Sequence, residues 1–126
     1  MLLAAGCGGS QPAPRPASPA TVSVRQEYAG GGLYFEGSYS YVRVERGGRS
    51  VTQVRLSNER VPRATISLDP GTYRLISFQR PCDGNCSQLN PPTDRCSHEL
   101  EARAGERVEA TVHLRPGDGC TIDAGA

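Results

Sequence analysis

Residues 64–75 read Ala64-Thr65-Ile66-Ser67-Leu68-Asp69-Pro70-Gly71-Thr72-Tyr73-Arg74-Leu75. Ala64, Ile66 and Leu68 alternate with Thr65 and Ser67. A period of two puts the apolar set on one face of a strand. Asp69-Pro70-Gly71 ends that strand. Pro presets φ, Gly accepts positive φ, and Asp bonds to nearby backbone. Tyr73 and Leu75 then resume the apolar alternation. Two half-buried strands around a tight turn are the working unit of an antiparallel β domain.

The run Leu68-Asp69-Pro70-Gly71-Thr72-Tyr73-Arg74-Leu75 resembles the Pro-Gly-x-Tyr-x-Leu signature of transthyretin-like and Cna-B-type sandwiches, including the carboxypeptidase regulatory-like domains. The resemblance covers roughly residues 40–114 and implies a β-sandwich; such a fold hosts many functions and names none. The insertion at 80–95 departs from the simplest members of the family.

Outward from this core the same texture continues. Short alternating runs between Gly, Pro, Asn and Asp signals predict strands at 21–28, 33–45, 50–57, 63–68, 72–79, 96–102 and 106–114, with a short one at 120–123. No window carries an apolar period of 3.6. The expected fold is all-β, a small antiparallel β-sandwich of about seven strands. Cys96, His98, Leu100 and Ala102 share one face, as do Val108, Ala110, Val112 and Leu114. An Arg103-Ala104-Gly105 loop would join these runs as a hairpin, with Gly at the left-handed position. His113 then faces outward, opposite in sense to His98.

The expected domain begins near Thr21 and runs through 21–126. Before it, residues 8–20 hold four prolines among small residues. They cannot build a core and read as a disordered tether. Residues 1–7, Met1-Leu2-Leu3-Ala4-Ala5-Gly6-Cys7, resemble the remnant of a lipoprotein signal peptide ending in a lipobox, with Ala4 where the bacterial family usually carries Leu. The resemblance implies a lipid-modified Cys7. It also implies export and a membrane partner through the anchor, on the outer face of the cell membrane.

Setting Cys7 aside leaves Cys82, Cys86, Cys96 and Cys120. An even set in a small exported domain predicts two disulfides, with three pairings open. Cys86–Cys96 with Cys82–Cys120 is the expected arrangement. The spacing does not match a zinc finger or ribbon, so no metal and no cofactor is expected.

Net charge is +1 and the fourteen basic residues are all Arg, scattered along the chain. Without a basic block, nucleic acid is not an expected partner. No nucleophile elbow and no paired carboxylates stand out, so a non-catalytic envelope domain is expected, binding or supporting a protein or glycan. The alternative is an inhibitor or effector-like module that uses the 80–95 loop; a hydrolase built on His98 has little to support it.

Aromatic residues cluster early. Tyr34, Phe35, Tyr39 and Tyr41 are the candidate binding residues, as a platform for sugar or protein. Phe35, Tyr39 and Tyr41 share one parity whereas Val42 and Val44 share the other. That change of face suggests a bulge or a strand buried on both sides, with the tyrosines as ordinary core.

Overall fold

The computed structural model describes residues 18–28, 38–82 and 86–125. They form eight strands: β1 Ala20–Tyr28, β2 Ser38–Arg46, β3 Arg49–Arg55, β4 Arg63–Leu68, β5 Gly71–Pro81, β6 Thr93–Ala102, β7 Arg107–Arg115 and β8 Gly119–Gly125. The first sheet has the order β4-β1-β7-β8 and the second β3-β2-β5-β6. The two sheets face each other as an all-β sandwich. The segment at 120–123 is thus a full eighth strand.

Alternation explains the core. Val22 and Val24 of β1, Ile66 and Leu68 of β4, and Val108, Ala110 and Val112 of β7 point inward from the first sheet. Val42 and Val44 of β2, Tyr73 and Leu75 of β5, and Leu100 and Ala102 of β6 meet them from the second. Burying these side chains stabilises the fold by about 25 cal/mol per Å² of apolar surface. Charged residues alternate outward, where ion pairs such as Arg25–Glu27 (3.2 Å) and Arg74–Glu99 (3.6 Å) are exposed. Pairs of this kind contribute little.

The turn that decided the fold also explains its tyrosine. The ring of Tyr73 is buried, and its hydroxyl donates to the Asp69 carbonyl at 2.5 Å. The side chain therefore pins the turn that precedes it. The Arg46 guanidinium lies 5.5 Å from the ring centroid. A Cβ at Gly71 would stand 2.9 Å from that guanidinium, so the bare backbone leaves Arg46 its place.

Three expectations need correction. First, β6 and β7 are not a hairpin. β6 pairs with β5 in the second sheet, whereas β7 pairs with β1 and β8 in the first. The 103–106 connection crosses between sheets, closed by Glu106 N–H donating to the Arg103 carbonyl at 3.0 Å, with Gly105 at φ +71°. Parity assigned the correct inward faces, but the two faces oppose each other across the core rather than lying side by side.

Second, the sheets are not purely antiparallel. β1 and β7 run parallel, with Val22 opposite Val108 and Val24 opposite Ala110. Both strands start at the same end of the sandwich, which leaves no other sense for their pairing.

Third, the disulfides join Cys82 to Cys86 and Cys96 to Cys120, with Cα separations of 4.9 and 5.5 Å. Because β6 lies in the second sheet, Cys96 faces the edge strand β8 of the first. Cys82 and Cys86, four apart in sequence, bond to each other just past the end of β5.

The connections are sorted by end. At one end lie 47–48, 69–70 and 103–106, all short. The entering chain is tied there too, because Gly105 N–H donates to the Ser18 carbonyl at 3.2 Å. At the other end lie 56–62, Cys82 with 86–92, and 116–118.

Candidate functional site

The outer face of the second sheet carries the cluster of interest. On β2, inward Ser40, Val42 and Val44 alternate with outward Tyr39, Tyr41 and Arg43. Tyr41 lies between Arg55 of β3 and Phe78 of β5, and Tyr39 lies opposite Arg80 of β5. The tyrosines are therefore not sandwich core. They stand on the opposite side of β2, half-buried. The β-bulge in this strand falls between Val44 and Glu45, beyond the aromatic stretch.

Ring and guanidinium contacts organise this face. Tyr41 stacks on Phe78 with centroids 5.4 Å apart and an interplanar angle of 12°. Such offset pairs contribute roughly 0.5–1.5 kcal/mol beyond their buried area. Arg55 sits 4.5 Å above the Tyr39 centroid, and Arg43 lies 5.6 Å from that of Phe78. Both are cation–π contacts. Arg43 Nε also donates to Gln53 Oε1 at 3.0 Å, and its Nη1 is 3.9 Å from Glu45. Arg80 is held differently: its guanidinium donates to the Asn90 carbonyl at 3.0 Å and the Leu89 carbonyl at 3.2 Å. That pins Leu89 and Asn90 against the sheet.

Sequence parity alone did not bring Arg43, Arg55, Phe78 and Arg80 into the candidate set. A signal was present. Leu75, Ile76 and Phe78 put apolar residues on both parities, which breaks the alternation, and the strand is buried at each of these positions. Tyr34 and Phe35 lie outside the described residues, as do Cys7 with the rest of 1–17 and residues 83–85.

Behind this face is a polar cluster that was not foreseen. Gln26 Nε2 donates to Ser40 Oγ at 2.9 Å, and Ser40 Oγ donates to Gln79 Oε1 at 2.6 Å. Gln79 Nε2 closes the ring to Gln26 Oε1 at 3.0 Å. The second Gln26 amide hydrogen is directed to the Tyr28 hydroxyl at 3.3 Å. All three members of the ring are buried. Each occupies a core parity position, next to Val24, Val42 and Ser77 respectively. The ring joins the two sheets and satisfies its members, so it works as a structural clasp.

The two histidines stay apart. His113, on the outer face of the first sheet, has Nε2 2.9 Å from Asp123 and Nδ1 3.8 Å from Glu27. His98 points to the opposite side of its own sheet and lines an open hollow of about 280 Å³ with Glu101, Arg103 and Val108. Both disulfide pairs occupy their sulfurs with each other. Among the described residues no group of three His, Cys, Asp or Glu side chains is placed to hold a metal. On Arg103, a hydrogen bond from the guanidinium to Glu101 (2.9 Å) raises the pKa further. This strengthens a charge that is always present.

No protein-family model matches the chain, and no curated protein matches it. A crystal structure from Bacteroides fragilis NCTC 9343, provisionally named a cell adhesion protein, is similar with a TM-score of 0.41 and 11% identity. The match covers 87% of this chain and 45% of that one. This chain thus spans less than half of that protein's length, and the likeness is too distant to carry function. Two disulfides suit an oxidising, exported environment.

Proposed function

We propose that this chain is an exported, lipid-anchored envelope module that binds a protein or glycan partner and catalyses nothing. The observation that carries the reading is the polarity of the sandwich. The entering chain and the connections 47–48, 69–70 and 103–106 occupy one end; 56–62, Cys82 with 86–92, and 116–118 occupy the other. A tether ending at Cys7 would then present the two longest of these connections, 56–62 and the one after β5, with the Tyr39 and Tyr41 face beside them, away from the membrane. Loops on a rigid sandwich are a common location for recognition.

The test is site-specific photo-crosslinking in the source cells. Crosslinkers at Glu59 and Gln88 should capture an envelope component, and crosslinkers at Gly48 and Ala104 should not. Capture from the tether end alone overturns the reading. Replacing Cys7 with Ser should move the protein from the membrane to the soluble fraction; unchanged membrane association would remove the anchor.

A second reading, an inhibitor-like module using the 80–95 loop, has one observation in its favour. Arg80 holds the Leu89 and Asn90 carbonyls, and Asn90 N–H donates to the Pro81 carbonyl at 2.7 Å. A loop held in place loses less entropy on binding. Shortening 87–92 should abolish target binding under this reading only.

A further inference from the structure

We propose that the tether-distal half of the second sheet's outer face binds an anionic polysaccharide through Arg43 and Arg55, with Tyr39 and Tyr41 supplying ring surface. This rests on the envelope-binding reading above and names the ligand class for it.

Charge is divided along the face. The distal rows hold Arg55, Tyr41 and Phe78 side by side, with Tyr39 beside Arg80, and Gln53, Arg43 and Ile76 next below. The following row changes sign: Glu45 lies opposite Arg74, which lies opposite Glu99, and Thr72 and Glu101 come after. Arg43, Arg55 and Arg80 thus share the distal rows of β2, β3 and β5, with exposed Arg95 beyond them on the edge strand β6, and the acids collect toward the tether. Among the described residues, neither Arg55 nor Arg80 has a carboxylate at salt-bridge distance. Glu45 lies at the outer limit of contact with Arg43, at 3.9 Å. Arg80 is occupied by loop carbonyls and Arg95 stands on the far edge strand, so Arg43 and Arg55 are the cations placed beside the aromatic rings.

Their geometry suits carboxylates on a chain of sugars. A guanidinium offers a planar fork to a carboxylate, and stacking on an aromatic ring holds that plane in a fixed orientation. Arg55 on Tyr39 is pre-organised in this way. Partly buried Tyr39 and Tyr41 offer their remaining ring edges and hydroxyls to the C–H faces and hydroxyls of a sugar. A protein partner is less well served. Stable protein interfaces centre on buried apolar anchors. Among the described residues the exposed large hydrophobic is Val51, at 51% exposure, and it is on β3 near the tether end. Cationic edges around partly buried rings, with no apolar centre, fit a hydrated polyanion.

The test uses the full chain with polygalacturonate as the probe and dextran as its neutral counterpart, followed by calorimetry. Polygalacturonate should bind and dextran should not. Affinity should fall about ten-fold as ionic strength rises from low to physiological values and above, because exposed charges are screened. The double variant Arg43→Gln/Arg55→Gln should bind about ten-fold more weakly, the loss of roughly 1.4 kcal/mol of contact. The variant Arg74→Gln/Arg107→Gln removes the same charge elsewhere and should change binding less than about two-fold. Thermal denaturation confirms that both variants are folded. Equal weakening in the two variants would reduce the effect to net charge and overturn the proposal. So would binding of dextran, or tighter binding of polyglutamate than of polygalacturonate. If polygalacturonate fails while crosslinking at Glu59 and Gln88 succeeds, the ligand class is wrong and the envelope-binding reading stands. If both fail, both are wrong.

Discussion

At the residue scale, two side chains show how far alternation reads and where it stops. The position of Tyr73 was legible, since it shares parity with Leu75. The job of its hydroxyl was not, because parity says nothing about a bond back to the Asp69 carbonyl. Replacing Tyr73 with Phe keeps the ring under Arg46 and removes that bond, leaving a part-buried carbonyl without its donor. The expected cost is about 1–2 kcal/mol, read as a lower urea midpoint at unchanged m. Ser77 predicts the opposite sign. It is buried between β2 and β6, and its hydroxyl has no hydrogen-bond partner among the described residues. Burying an unpaired hydroxyl costs free energy, so Ser77→Ala should stabilise the fold by about 1 kcal/mol. A lower midpoint for this variant would mean that the hydroxyl is satisfied. Asp94 belongs to the same scale: its carboxylate accepts from Gly117 N–H (3.2 Å) and Gly119 N–H (2.9 Å), while its own φ is 50°. Asp is one of the few residues that accept that conformation while capping a turn.

At the element scale, strand existence was legible and strand partnership was not. The edges of β4 agree with the sequence reading at both ends, and β8 was expected as a shorter strand at 120–123. Period two fixes which face a strand buries but not which strand lies beside it. The β6–β7 expectation failed for this reason, since it assumed that neighbours in sequence are neighbours in a sheet; the disulfide expectation failed because it gave Cys96 to Cys86 across a loop, whereas β8 brings Cys120 to it. The observed pairing makes the two disulfides unequal. Cys96–Cys120 spans a sequence separation of 24 and joins the edge strands of opposite sheets; Cys82–Cys86 spans 4. In the chain-entropy account, these separations correspond to about 3.4 and about 1.9 kcal/mol of restriction on the unfolded chain. Replacing Cys96 and Cys120 with Ala should therefore lower stability more than replacing Cys82 and Cys86, by roughly 1–2 kcal/mol in denaturant titrations. Equal losses would place the effect of the first bond elsewhere than in loop closure.

At the scale of the whole molecule, the end that carries the two longest connections is also the end where the two sheets are tied by more than apolar packing. The Gln26–Ser40–Gln79 ring crosses between sheets at inner strands, and Cys96–Cys120 crosses at the edge. Sequence parity could not show the ring, because a polar residue at a core position announces a missing contact rather than its replacement. Three such positions near the same end of β1, β2 and β5 were the available clue. The arrangement makes a local prediction. Gln79→Ala leaves the Ser40 hydroxyl without its acceptor and Gln26 Oε1 without its donor, both buried. The cost should be about 2–3 kcal/mol. The combined variant Gln26→Leu/Ser40→Ala/Gln79→Leu removes every member of the ring and should recover most of that loss, because apolar groups need no partners. Native-state hydrogen exchange reads the location. In Gln79→Ala, amides of the distal halves of β1, β2 and β5 should lose protection before those near 47–48, 69–70 and 103–106, since local opening follows the weakened end. Uniform loss of protection along each strand would instead show that the clasp acts on global stability alone, and that the end carrying 56–62 has no stiffness of its own.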